Sequence, residues 1–175
     1  MSLSLFILGS LADENSNPYQ LKKELLDAIP IKISEGKFYY NFEALQKKGL
    51  IEPVETIQIV NRPNKTMYGI TQKGRLFLEQ EIYNSFKKVA RLEDLYISIY
   101  LLKYIDPAKA ALFLEETIKH EKNRWASYKE EFKVSKEILD AKQQRAVQFI
   151  SEHAFSQSEH NIFWMEKLLN FLKAF

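Results

Sequence analysis

The chain has no cysteine among its 175 residues, which excludes a disulfide framework and a thiolate metal site and fits a reducing compartment. Five glycines and five prolines are too few for an all-β protein full of turns, and they direct the reading toward helices. No apolar run approaches the roughly 18–20 residues that a membrane span needs. Residues 1–11 are apolar but lack a basic leader and a small-residue cleavage site, so no signal peptide is expected and the location is read as cytoplasmic. Chemical signatures are missing too. There is no glycine-rich phosphate loop, no Gly-x-Ser-x-Gly turn and no nucleophile–base set, so an enzyme is not expected. The histidines are His120, His153 and His160, with Glu121, Glu152 and Glu159 close by in sequence. They are read as surface residues, and no metal or cofactor is expected.

What is present is enough for a core. Apolar residues make up 46% of the chain and aromatics 13%, and the length suits one substantial domain or two small ones sharing a dimer interface. The overall charge of +2 says little, but its distribution says more. Residues 17–75 hold ten basic and six acidic side chains, whereas the remainder holds fifteen basic and seventeen acidic. The N-terminal half therefore carries the positive excess that attraction to phosphate requires.

Periodicity divides the chain further. Residues 3–12 read as a helix apolar on most sides. Asn17 and Pro18 are suited to the cap and first position of a second helix, expected over 19–28, with Leu21, Leu25 and Ile29 on one face before Pro30 stops it. Ser34 can cap a third helix over 35–48, ended by Gly49, whose Phe38, Phe42 and Leu45 form a core-facing stripe. The period then changes. A β-branched run over 54–60, a turn at 61–64 and an alternating segment over 65–70 predict a hairpin. Thr71 caps a fourth helix carrying Leu76, Leu78, Ile82 and Phe86. This order predicts a mainly α protein with a small β-hairpin wing, a winged helix-turn-helix domain over residues 1–88.

Residues 89–175 are expected to be a helical dimerisation domain. An apolar helix over 92–104 is followed by a stretch from Pro107 to about Ser151 without proline or glycine. Leu114, Ile118, Trp125, Tyr128, Phe132, Leu139, Ala146 and Ile150 keep a spacing of three to four, or multiples of it, as in a seam against a partner helix. It is read as one helix or as two broken near 133–136. A final helix, capped near Ser156 or Ser158, carries Ile162, Phe163, Met165, Leu168, Leu169 and Leu172.

Several ordered segments resemble one family. Asn17-Pro18-Tyr19-Gln20-Leu21-Lys22-Lys23-Glu24-Leu25 is similar to the HGYELKKRL stretch of PadR-like transcriptional regulators. Residues 36–51 have the spacing of that family's GSIYPALKRLEKEGLI. Asn61-Arg62-Pro63 and residues 68–75 resemble its wing and exit, GRPRKYYSITEKGR, and Trp164-Met165-Glu166 resembles a late WLE. The resemblance implies a dimeric repressor on a palindromic operator and, for some members, a small aromatic effector. Tyr40, Asn17-Pro18 and Asn61 depart from the family's Pro, His-Gly and Gly, so the operator sequence does not carry over.

The candidate DNA contacts follow from these elements. On the third helix, Lys37, Tyr40 and Asn41 are expected to reach base edges, with Tyr39 and Lys47 beside them. Tyr19, Gln20 and Lys23 would hold the backbone at the start of the second helix, and Arg62, Asn64, Lys65 and Thr66 would do so at the wing. Trp125, Tyr128, Phe132, Phe163, Trp164 and Leu168 are the candidate dimerisation residues. The expected partners are double-stranded DNA, a second copy of the chain and an unidentified small aromatic effector. The rival reading is a winged-helix adaptor that binds protein rather than DNA.

Overall fold

The computed structural model describes residues 3–28, 34–58, 64–134 and 140–175. Ile29, Pro30, the wing-tip residues Asn61, Arg62 and Pro63, and Leu139 lie outside that set, as does the side chain of Phe132. The chain forms two compact units, Met1–Ser85 with Glu93–Ile105 and Phe86–Leu92 with Asp106–Phe175.

In the first unit, α1 (Leu3–Asp13) is the apolar helix expected, with Leu5, Phe6, Ile7 and Leu8 all buried. Helix α2 (Pro18–Ala28) starts where Asn17 Oδ1 accepts the Gln20 backbone N–H at 3.2 Å, and it buries Leu21 and Leu25. Helix α3 (Glu35–Lys47) is capped by Ser34, whose Oγ accepts the Lys37 backbone N–H, and it buries Phe38, Phe42 and Leu45. It ends in a left-handed turn at Gly49, with φ of 66°. There the Leu50 N–H reaches the Leu45 carbonyl at 3.0 Å and the Gly49 N–H reaches Gln46 at 2.9 Å. Both bonds satisfy carbonyls that a helix end leaves without partners.

The hairpin pairs β1 (Ile51–Ile57) antiparallel to β2 (Lys65–Ile70), with an irregularity between Pro53 and Glu55. Its first strand thus begins three residues before the expected start at Val54. Pro53 is tolerated because, among the described residues, the sheet is two-stranded, so its missing N–H costs no inner ladder bond. A bridge from Ser16 to Tyr68 ties the base of the wing to the α1–α2 connection, and the Tyr68 ring meets Phe42 edge-on at 4.8 Å. Helix α4 (Gln72–Lys87) starts with Thr71 Oγ1 accepting the Gly74 N–H at 3.0 Å. Gly74 is required there: a Cβ would sit 2.1 Å from the Leu50 carbonyl oxygen. Leu78, Ile82 and Phe86 are buried at i, i+4 and i+8, but Leu76 is exposed, because it lies two positions off that row.

The single helix expected over 92–104 is instead a 3₁₀ turn (Leu92–Leu95), a short α5 (Tyr96–Tyr100) and a second 3₁₀ turn (Leu102–Tyr104). Buried Ser98 shares a 2.7 Å hydrogen bond with Ser85, and Leu101 departs from helical geometry with ψ of 16°. The last turn is fastened to α1. The Tyr104 hydroxyl lies 2.9 Å from the Gly9 carbonyl and 2.6 Å from the Asp13 carboxylate, which also accepts from Lys103 at 2.5 Å. The Lys103 ammonium and then the Tyr104 hydroxyl hold the Asp13 carboxyl below its ordinary value. Burial, followed by the bond to Asp13, raises the Tyr104 phenol.

The second unit is an antiparallel helix pair, α6 (Pro107–Val134) and α7 (Ala141–Lys173). Asp140 starts α7 with a reciprocal capping box to Gln143. The region over 107–173 is thus two helices, and α7 runs unbroken through Ser156 and Ser158. No separate final helix starts there. Ser158 is buried and its hydroxyl donates to the Phe155 carbonyl at 2.8 Å, a bond a serine makes inside a helix as readily as at its start. Leu114 and Ile118 on α6 and Met165, Leu168 and Leu172 on α7 are buried. No helix among the described residues is long and apolar enough to cross a membrane.

Candidate nucleic-acid interface

The buried row Phe38–Phe42–Leu45 fixes which side of α3 turns outward. Gly36, Lys37, Tyr40, Glu43 and Lys47 are all exposed, Tyr40 by 74%. Tyr39 stands at the margin of this face, packed edge-on against Phe38 at 5.7 Å. Asn41 is placed differently. It is half-buried, its Nδ2 donates to the Lys37 carbonyl at 2.7 Å, and its Oδ1 accepts the Ser4 hydroxyl at 3.1 Å. The amide is thereby engaged within the domain. Nothing in the apolar pattern of α1 signals Ser4 as its partner.

At the start of α2, Tyr19 is 73% exposed, and Gln20 and Lys23 are exposed with it. Asn17 is buried, with its Oδ1 spent on the cap and its Nδ2 without a hydrogen-bond partner. Lys22 pairs with Glu35, linking the two helices. On the wing Asn64 is exposed, while Lys65 and Thr66 are half-buried and pair with Ile57 and Thr56 across the ladder. Arg62 lies outside the described residues. Two acids, Glu52 and Glu55, stand exposed on β1, and the basic residue of the described hairpin is Lys65 on β2. Lys73, counted in the basic excess but not among the expected contacts, donates to the Lys48 carbonyl at 2.8 Å. It neutralises the negative end of α3.

Residues 7–80 match the transcriptional regulator PadR-like family. The matched segment runs from α1 into α4 and covers less than half of the chain. Solved structures similar to the chain include a PadR-like transcription factor from Bacteroides fragilis, with 26% identity over 49% of this chain and 80% of that one and a TM-score of 0.42. The smu.1604c protein of Streptococcus mutans has 20% identity over 97% and 99% of the two chains, with a TM-score of 0.46. Bacillus subtilis PadR in complex with operator DNA has 16% identity over 97% and 98%, with a TM-score of 0.38. No curated protein matches the chain. The family is one of transcriptional regulators, and the matched residues include the α2, α3 and hairpin positions described above.

Outside the matched segment, the expected dimerisation residues separate into two groups. Trp125 is half-buried against Phe155 at 5.8 Å and Tyr128 at 5.7 Å, and Tyr128 itself is exposed. Phe163 and Trp164 are 50% and 40% exposed, with the Lys167 ammonium 4.6 Å from both rings. Leu168 is only 7% exposed and is part of the unit's own interior. Helix α7 carries a second apolar face. Phe149, Ile150, Phe163, Trp164 and Phe171 are all exposed, and at about 100° per residue they fall within an arc of roughly 140°; Phe175, also exposed, follows the end of the helix. His153 and His160 share the continuous helix. Among the described residues no group of three or more His, Cys, Asp or Glu is arranged to hold a metal ion.

Proposed function

We propose that the chain is a sequence-specific DNA-binding repressor that acts as a homodimer on a palindromic operator. The observation that carries this is the outward face of α3: Lys37, Tyr40 and Lys47 exposed opposite a fully buried row, on the same domain as a hairpin whose second strand begins with Lys65. An exposed aromatic between two cations suits a major groove, where the lysines meet guanine acceptors or phosphate and the ring meets base edges. Tyr19, Gln20 and Lys23 hold the backbone beside the α2 N-terminus, whose N–H groups attract phosphate. Asn41 joins base readout only by releasing Ser4. Residues 1–88 supply these contacts and residues 89–175 supply the dimer.

The exposed apolar face of α7 is the surface offered to a second copy. In an antiparallel pairing about an axis near Asn161 and Ile162, Phe149 and Ile150 of one copy come opposite the 171–175 end of the other, with Phe163 and Trp164 beside the axis, an isologous contact. A small aromatic effector acting through the second unit would make repression responsive.

The test is a binding isotherm on DNA enriched from a random pool, repeated across salt concentrations. The enriched site is expected to be palindromic, with half-sites about 34–36 Å apart. Log affinity should fall with log salt by about 0.9 per phosphate contact, and Arg62→Ala with Lys65→Ala should flatten that slope. A slope near zero would favour the adaptor reading, and an unchanged slope in the double variant would remove the wing from the interface.

A further inference from the structure

Helix α3 carries two carboxylates, Glu35 and Glu43, and they are placed differently. Glu35 pairs with Lys22 of α2, which ties its charge into the domain. Glu43 is exposed, and among the described residues its carboxylate has neither a hydrogen bond nor an ion pair. Lys47 stands four residues on, the spacing and order that favour an ion pair on a helix surface, and still the two are not joined. At about 100° per residue, Tyr40, Glu43 and Lys47 fall within an arc of about 60°, on the side of α3 opposite the buried Phe38, Phe42 and Leu45. The carboxylate thus interrupts a face that is otherwise cationic or neutral.

We infer that Glu43 is a specificity-determining residue of this face: its carboxylate accepts a hydrogen bond from the N4 amino group of a cytosine in the major groove. The inference rests on the repressor reading above. Toward phosphate the group meets like charge, so it adds nothing to the general attraction for DNA. Toward base edges it is selective, because an ionised carboxylate accepts and does not donate. Guanine presents two acceptors in the major groove, and thymine presents an acceptor and a methyl group, so neither offers it a partner. Adenine sets the N7 acceptor beside its N6 amino group, and that acceptor repels the carboxylate. Cytosine offers the amino group alone.

Two features of the structure sharpen this. No ion pair within the domain has to break before Glu43 can accept, so the bond is made without a compensating loss. A site lacking the cytosine leaves the carboxylate without a donor between phosphates, and discrimination then comes from a penalty on wrong sequences as well as from the bond itself. Position sets the register. Glu43 lies three residues along α3 from Tyr40, about 4.5 Å, close to the roughly 3.4 Å between successive bases of one strand. The cytosine therefore neighbours the base that Tyr40 meets.

The experiment enriches duplexes from a random pool with the full chain and with its Glu43→Gln, Glu43→Ala and Glu79→Gln variants, and sequences the bound fraction. Glu43 is exposed and unpaired, so neither change at this position removes a contact on which folding depends. Glu79 is exposed on α4, and its variant removes the same charge from another surface of the first unit. Wild-type sites should carry a fixed cytosine in each half-site, and changing it should weaken binding about tenfold or more. In the Glu43→Gln pool that position should turn to adenine, whose N6 and N7 match an amide. In the Glu43→Ala pool it should lose its preference, while affinity for unrelated duplexes rises because a charge of the same sign as phosphate is gone. The Glu79→Gln pool should match the wild type. Glu43 pools that match the wild type position for position would overturn the inference and leave the repressor reading standing, as would the same base change in the Glu79→Gln pool. A wild-type pool with no enriched sequence would remove the repressor reading and this inference with it.

Discussion

Replacing Trp164 with glutamate tests the dimer surface most directly. Trp164 is 40% exposed, and Phe163 beside it 50%, so neither holds its own protomer together. A large aromatic presents about 150–250 Å² in all, which leaves about 100 Å² of Trp164 for a partner to cover. Two copies meeting about a twofold axis cover twice that, and at about 25 cal/mol per Å² the loss approaches 5 kcal/mol. Rotational entropy and ordering of the side chains consume part of this, so about 3 kcal/mol, or about 100-fold in the dimer dissociation constant, is the effect expected. Sedimentation equilibrium reads it, and circular dichroism confirms that the protomer remains folded. Leu168→Ala is the internal contrast. That side chain is buried, so its truncation should cost about 2–5 kcal/mol of protomer stability while leaving self-association of the folded chain unchanged. A Trp164→Glu chain that dimerises as before, or a Leu168→Ala chain that is stable but monomeric, would refute the assignment of the two faces of α7.

Two further predictions concern stability. Asp140→Ala removes the acceptor for the Lys142 and Gln143 N–H groups at the start of α7 and should cost about 1 kcal/mol in chemical denaturation; no loss would mean the helix starts elsewhere. Asp13 has its carboxyl held below the ordinary 3.8, first by Lys103 and then by Tyr104. A lowered carboxyl pKa contributes stability present above the unfolded-chain value and lost as pH falls through the folded value. The stability gap between the wild-type chain and Asp13→Asn should therefore narrow as pH falls from about 6 to about 3, and a gap constant across that range would contradict it.

Where local signals agree, the sequence reading and the structure coincide residue by residue. Ser34, Thr71 and Gly49 are read as caps because their side chains or backbone freedom solve the problem of a helix end, and each does so here. Phe38, Phe42 and Leu45 repeat at a helical period, so their burial also fixes the outward face on which Lys37, Tyr40 and Lys47 lie. The exposed side of α3 is legible as the complement of a core stripe.

The failures come from places where one residue type serves two physical ends. Serines at 156 and 158 look like caps, yet a hydroxyl can return its hydrogen bond to the preceding turn, and Ser158 does so inside an unbroken helix of 33 residues. The start of that helix is marked instead by Asp140 with Gln143 three residues on, a capping box that stands just after the expected break near 133–136. Apolar residues at helical spacing are ambiguous in the same way. Leu168, Phe163 and Trp164 all suit a seam, but periodicity shows only that a face is apolar and not what covers it. On α7 the shorter-range neighbour takes Met165, Leu168 and Leu172, and the aromatic residues stay exposed. Asn41 shows the converse limit. Its type suits adenine, but its amide bonds a serine 37 residues away, and a partner that distant leaves no trace in local pattern. Of Lys37, Tyr40 and Asn41, tertiary contact thus leaves Lys37 and Tyr40, both exposed on the first turns of α3, in the proposed base-reading set, and on that proposal operator specificity should respond more to substitutions there than at Asn41.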